Sequence, residues 1–227
     1  MRCGLPFVSP HAMESQIPEC GACRNDPPGF DQARSFGLYT GHLRRVILRM
    51  KFGREERLGR RLGELLAGTW NSLEDLSDGS MPVIIPVPLH SSRRRERGFN
   101  QAEMLARGLV KALGKGRGAS GLAVTNGCLA RQRATPPQTG LSVSARRENL
   151  RGAFEVVDIP KIRERMVMVI DDVMTTGATL SACARTLKHA GAARVFGLTL
   201  ARATPQFPDL ASAADHIPVD GLDRDWR

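Results

Sequence analysis

Residues Val167 to Thr179 read V-M-V-I-D-D-V-M-T-T-G-A-T, and this stretch decides the fold. Val167, Met168, Val169 and Ile170 form an uninterrupted apolar run. It is too short for a helix and lacks polar alternation, so it predicts a central strand covered on both faces. Asp171 and Asp172 are expected to cap its carboxyl end. Thr175, Thr176, Gly177, Ala178 and Thr179 follow with hydroxyls, backbone N–H groups and one residue free to take φ > 0. Leu180, Cys183, Ala184 and Leu187 then recur at helical spacing, and Gly191 stands where a helix would stop. A helix opening near Thr179 turns its unpaired N–H groups and its positive dipole end into the loop, an anion site that requires no basic side chain. Arg194 to Ala201 predicts the next strand, completing a βαβ unit whose ligands sit at the carboxyl ends of the strands.

Competing loop chemistries are excluded by their own requirements. Neither G-x-x-x-x-G-K-[ST] nor G-x-G-x-x-G follows an apolar run in this chain. An aspartyl-phosphate hydrolase would place its acids two apart on one side of the strand, whereas adjacent Asp171 and Asp172 diverge to opposite sides. Divergent acids suit a ligand with several hydroxyls.

The stretch resembles the 5-phosphoribosyl-1-pyrophosphate (PRPP) motif of type I phosphoribosyltransferases. The resemblance implies that Asp171 and Asp172 lie by the ribose hydroxyls and that Thr175 to Thr179 cradle the 5′-phosphate. Flanking segments narrow it to the ComF/GntX-like (competence protein F) family. They are C-G-L-P-F at Cys3, C-G-A-C at Cys20, P-P-G-F-D at Pro27, G-L-Y-T-G-H-L-R-R-V-I-L-R-M-K-F at Gly37, P-V-P-L-H at Pro86, R-R-R-E-R-G-F-N-Q-A at Arg93 and R-Q-R-A-T-P-P-Q-T-G-L at Arg131. The implied fold is α/β, a type I phosphoribosyltransferase domain with a central, mostly parallel sheet and flanking helices. A small cysteine-containing, zinc-ribbon-like segment and helices precede it. The implied divisions are 1–35 for the cysteine segment, 36–204 for the α/β domain and 205–227 for a polar tail. Pro88, Leu89, His90, Arg93 and Arg97 would face the pyrophosphate, with Mg²⁺ accompanying PRPP. A lone His such as His90 also fits a structural role. Arg131, Arg133, Thr135 and Gln138 fall on the mobile loop of catalytic relatives, a position that equally fits an exposed connector stiffened by Pro136 and Pro137.

The chain has 227 residues, a net charge of +10 and five cysteines. That length buries one α/β core with a small appendage. No apolar run approaches the roughly 20 residues of a membrane span, and the first residues lack a signal-peptide core, so a cytoplasmic protein is expected. An odd cysteine count without export signals favours thiols or metal ligands over disulfides. Cys20 and Cys23 have zinc-knuckle spacing. By resemblance Cys3 joins them, its own partner falling before Met1 or being replaced by His11. Cys128 and Cys183 read as core fillers.

The positive charge points to anionic partners. Arg44, Arg45, Arg49 and Lys51 lie on one predicted amphipathic helix and read either as a solvated face or as a track for single-stranded DNA. Further helices are predicted with faces Leu58, Leu62, Leu65 and Ala102, Leu105, Ala106, Leu109, the second capped by Asn100. Residues 68 to 82 read as a surface connection, and Val83 to Val87 as a buried strand. Two function classes follow. One is a protein binding PRPP or ribose 5-phosphate that acts with single-stranded DNA and DNA-uptake proteins in natural transformation. The other is an active phosphoribosyltransferase whose acceptor is not indicated, since no segment reads as nucleobase recognition.

Overall fold

The computed structural model of the chain describes residues 2–5, 19–53, 55–74, 81–114, 121–133 and 149–204. Its centre is a four-stranded, wholly parallel sheet of β1 (Gln32–Leu38), β2 (Val83–Pro86), β5 (Met166–Met174) and β6 (Arg194–Arg202), in the order β1-β6-β5-β2. Two short antiparallel strands, β3 (Leu129–Arg131) and β4 (Phe154–Val156), form a separate ribbon. The expected α/β class with a parallel sheet is what the chain adopts.

β5 is apolar on both sides because both sides are covered. Val167 and Val169 pack with Leu180, Cys183 and Leu187 of α6 (Ala178–His189). Met166, Met168 and Ile170 pack on the opposite face with residues of α2 (Gly41–Phe52), α3 (Glu56–Glu74) and α5 (Gln101–Gly114). The chain thus leaves β5 toward one face and leaves β2 toward the other. Adjacent parallel strands whose connections part in this way open a crevice at their carboxyl ends, where α/β proteins bind ligands.

The structure corrects several boundaries. β5 does not end at the acids: its pairing with β6 continues through Asp171↔Thr199 to Met174↔Arg202. The division expected at residue 35 falls inside β1, which pairs with β6 from Gln32 onward. α3 runs to Glu74, so much of the expected surface connection is helical, with Trp70 and Leu73 buried. Its core face is Leu58, Leu62, Leu66, Trp70 and Leu73, while Leu65 is exposed. Leu58, Leu62, Leu66 and Trp70 recur every fourth residue with Leu73 three further on, and Leu65 falls beside that stripe.

α3 and α5 approach closely through glycines. A Cβ on Gly63 would lie 2.2 Å from the Leu105 carbonyl oxygen, and one on Gly108 would lie 2.0 Å from that of Arg60. Neither neighbour is a movable side chain. Asn100 starts α5 as the sequence suggests, its Oδ1 accepting from Ala102 N–H (3.1 Å), while its Nδ2 donates to the Val87 carbonyl (3.0 Å). That pair fastens the helix start to the end of β2.

Gly108→Ala should therefore destabilise the protein by roughly 1–3 kcal/mol, the usual effect of overpacking. Gly68→Ala, on the same α3 but with nothing within 4 Å of its new Cβ, should be neutral or stabilise by about 0.5–1 kcal/mol. Thermal denaturation of both variants checks the pair, and equal shifts would contradict the close helix contact.

Candidate functional site

The crevice between β5 and β2 is a cavity of about 540 Å³. From the sequence's candidates it gathers Asp171, Asp172, Thr175, Gly177, Ala178, Thr179, Leu89, Arg93, Arg97, Arg131 and Lys51. Four cations (Lys51, Arg93, Arg97, Arg131) face two acids there, so the lining carries a surplus of positive charge even with both acids ionised. Anions are its natural occupants.

The two acids part as strand geometry requires. Asp172 turns toward α2, where its Oδ2 meets Lys51 Nζ at 3.0 Å, both side chains being largely buried. Asp171 lies on the α6 side, within electrostatic range of Arg131 and Cys183. Its Oδ1 accepts from the Asp172 N–H (2.9 Å). Although Asp171 keeps some surface open to the cavity, burial and the neighbouring Asp172 charge push its acid up to about 7. Burial pushes the Lys51 ammonium down, but attraction to Asp172, aided by Asp171 and Tyr39, outweighs this and the net direction is up.

Beyond the acids, Gly177 takes φ 78° and caps α6. A Cβ there would sit 2.9 Å from Met174 Cε and 3.6 Å from the Phe30 ring. The glycine is therefore demanded by the loop's own turn and packing. Thr176 serves the backbone, its Oγ1 accepting from Ala178 N–H (3.3 Å).

The arginines come from different elements. Arg93 and Arg97 stand on α4 (Ser91–Arg97), and the Arg97 guanidinium lies 5.6 Å from the Phe52 ring centroid. His90 caps α4 through Nδ1, which accepts from Ser92 N–H (3.3 Å). Pro88 lies between Val87 and Leu89, both of which line the cavity. Arg131, expected on a mobile loop, belongs instead to the β3–β4 ribbon with its guanidinium 5.5 Å from the Phe154 ring centroid. Arg133 donates to the carbonyls of Asn149 (3.1 Å) and Arg151 (3.0 Å). Thr135, Gln138 and His11 lie outside the described residues.

The four cations expected as one nucleic-acid track divide. Lys51 belongs to the cavity, Arg49 is exposed and pairs with Glu55 (2.7 Å), and Arg44 and Arg45 are half-buried on α2. Sequence reasoning also passed over Tyr39, Leu48, Phe52 and Gln101 as cavity residues. Gln101 is 2% exposed, and its Nε2 has no hydrogen-bond partner among the described residues. A buried donor left open in a cavity wall fits a ligand rich in oxygen acceptors. The place of Gln101 directly after the predicted cap Asn100 was the available signal.

Away from the cavity, the sulfur atoms of Cys3, Cys20 and Cys23 lie within 4.8 Å of one another, with Cys3 and Cys20 3.6 Å apart. That separation matches the edge of a zinc tetrahedron, about 3.8 Å for Zn–S bonds of about 2.3 Å. The buried Arg202 guanidinium approaches Cys3 Sγ at 4.0 Å. Cys128 and Cys183 are buried in the core, as expected.

The chain is 33% identical to competence protein F of Haemophilus influenzae over 186 residues, 81% of this chain and 78% of that protein. The chain belongs to the competence protein F family. It is likewise 33% identical to the DNA utilization protein YhgH of Escherichia coli K12 over 195 residues, covering 86% of this chain and 79% of that one. Competence protein ComFC of Bacillus subtilis is 27% identical over 172 residues, 75% of this chain and 64% of its own length. No family model matches the chain.

The position of Asp171 predicts a pH dependence. Its acid titrates near 3.8 when unconstrained and about 7 in the folded chain. Between those values the folded state binds the extra proton, so this group's stabilisation is present at low pH and is lost as pH rises through 7. Asp171→Asn should remove that loss, so its melting temperature should exceed the wild type's at pH 8 by more than at pH 5. Melting curves for both proteins across this range check the sign.

Proposed function

We propose that the chain binds PRPP or ribose 5-phosphate in the crevice and acts with single-stranded DNA during DNA uptake. The fold would then be that of the type I phosphoribosyltransferases. One observation carries the reading: a single cavity joins two divergent acids, the Thr175–Thr179 turn at the start of α6, and cations from three separate elements. The turn and helix start suit a terminal phosphate. Asp171 and Asp172 suit ribose hydroxyls, and Arg93 and Arg97 suit a diphosphate. Mg²⁺ would arrive with the diphosphate and offset its charge, Asp171 and Asp172 being the hard oxygen donors the cavity offers. The names of the relatives, competence protein F and DNA utilization protein, support the role in DNA uptake. Among the described residues no helix is long and apolar enough to cross a membrane.

A second reading, phosphoribosyl transfer to an acceptor, draws on the same arrangement. Loss of diphosphate leaves a cationic ribosyl centre and a heavily charged leaving group, and the cavity sets carboxylates beside arginines. PRPP that releases diphosphate only when an acceptor is supplied would favour it.

Calorimetric titration with PRPP and Mg²⁺ tests the site. Wild type should bind, and Asp171→Asn combined with Asp172→Asn should lower affinity at least tenfold while keeping a cooperative melt. Retention of single-stranded oligonucleotides should fall with salt at a log-log slope of about −0.7 per neutralised phosphate. Unaltered PRPP titration by the double variant refutes the sugar-phosphate site, and salt-independent or absent retention refutes the DNA role.

We further propose that Cys3, Cys20 and Cys23 hold zinc. The purified protein should contain near-stoichiometric zinc, and Cys20→Ser should release it, read by metal analysis. Wild-type protein free of zinc after purification in zinc-supplemented medium would leave three thiols packed against Arg202.

A further inference from the structure

Among the described residues Arg202 is a buried cation that no carboxylate pairs. It is 8% exposed at the carboxyl end of β6; its Nε and Nη1 have no hydrogen-bond partner among those residues, and its Nη2 lies 4.0 Å from Cys3 Sγ. A guanidinium does not give up its proton inside a protein, so its charge must be met by whatever surrounds it. Burial works against that charge, and Cys3, Cys20 and Cys23 are the groups that favour it. Neutral thiols would supply no counter-charge.

The fold holds both sides of this contact in place. The Arg2 carbonyl accepts from Ala33 N–H (2.7 Å), which lays the Cys3 segment against β1, the neighbour of β6. Cys23 N–H and Arg24 N–H donate to the Cys20 carbonyl (2.9 and 3.0 Å), and this turn at the start of α1 (Gly21–Asn25) brings the Cys20 and Cys23 sulfurs together. Arg202 is fixed through its backbone: it pairs with Met174 of β5, and its carbonyl accepts from Tyr39 N–H (2.8 Å). Arg34, half-buried, also lies within electrostatic range of Cys3, but its guanidinium donates to neutral acceptors, the Ala33 carbonyl (3.0 Å) and Gln32 Oε1 (2.7 Å).

We infer that Arg202 is the counter-charge of a three-thiolate metal centre. A zinc ion bound by three thiolates carries one net negative charge, and one guanidinium held against the sulfurs offsets it. The inference deepens the zinc reading and rests on it: the cysteines bind the ion, and Arg202 acts through them as a positioning residue that ligates nothing itself. The pairing accounts for the buried cation and the crowded sulfurs together, because each is costly without the other.

Zinc affinity is measured at one fixed pH by competition with a chromophoric chelator, on the full chain as wild type, Arg202→Met and Arg202→Lys. Arg202→Met keeps an unbranched side chain and removes its charge; affinity should fall roughly 10–100-fold, the usual effect of losing an outer partner of metal ligands. Arg202→Lys returns a cation and should recover most of that loss. Cobalt loaded in place of zinc reports the ligands separately. At saturation all three proteins should show the same thiolate-to-cobalt absorption, since the cysteines are untouched. Arg202→Met that equals wild type in affinity overturns the counter-charge, and so does Arg202→Lys that binds as weakly as Arg202→Met, which would make Arg202 a packing residue. A weaker cobalt band in Arg202→Met would also overturn it, by showing a lost ligand in place of a lost charge. Should Arg202→Met not fold, Arg202→Gln, neutral and hydrogen-bonding, is read by the same criteria. Wild-type protein that binds neither ion is a separate result: it removes the three-cysteine zinc reading, and the counter-charge with it.

Discussion

Two carboxylates side by side at the end of a buried strand are an electrostatic burden that the rest of this structure answers. Water solvates them only through the cavity, so the charge must be met by protein. Lys51 approaches Asp172 from α2 on one face of the sheet, and Arg131 lies near Asp171 from the ribbon on the other. Because β5 alternates, each acid calls for its cation on a different face. The sheet, the α2–α3 layer and the β3–β4 ribbon must therefore all be in place before the pair is offset. The cavity is thus a product of the whole fold, with no single loop responsible for it.

The same logic applies to the turn that follows. Gly29 N–H donates to Ser181 Oγ (2.8 Å), and Arg185 Nη2 donates to the Pro27 carbonyl (3.1 Å). Asp31 accepts from both Lys188 Nζ and Val195 N–H at 2.7 Å. These contacts seat residues 27–31 along α6 and wedge Phe30 beneath Gly177. A left-handed residue at the helix start costs conformational entropy, and the apolar wedge below it holds the turn in one shape. The cysteine cluster lies near Arg202, which pairs with Met174 at the carboxyl end of β5.

What the sequence made legible follows from locality. Val167 to Ile170, the turn after them and the period of α6 are set within one βαβ unit, where apolar pattern, glycine and helix start are read directly. Asn100 was legible for the same reason, since a cap acts on the residues beside it. Lys51, Tyr39, Phe52 and Gln101 were not, because their roles depend on where α2 and α5 dock against the end of β5, and no local pattern encodes that docking. Arg131 lies at the end of β3, where the strand gives way to the segment expected as a mobile loop. α3 ran past its expected end because Trp70 and Leu73 continue a stripe that the misassigned Leu65 had interrupted.

The raised acid also bears on which ligand suits the cavity. A protonated carboxyl donates one hydrogen bond, whereas a carboxylate only accepts. With Asp171 near its midpoint at neutral pH and Asp172 held against an ammonium, the pair offers a donor and acceptors on neighbouring positions of one strand. Each hydroxyl of a vicinal diol is itself one donor and an acceptor, so such a diol can satisfy the pair whichever proton state Asp171 takes. A phosphate placed at the acids would instead meet two groups with little to donate and added negative charge. On the proposed reading, the acids would orient a sugar phosphate with its hydroxyls at Asp171 and Asp172 and its phosphate toward the turn before α6 and the arginines. Charge and hydrogen-bond complementarity favour the same orientation.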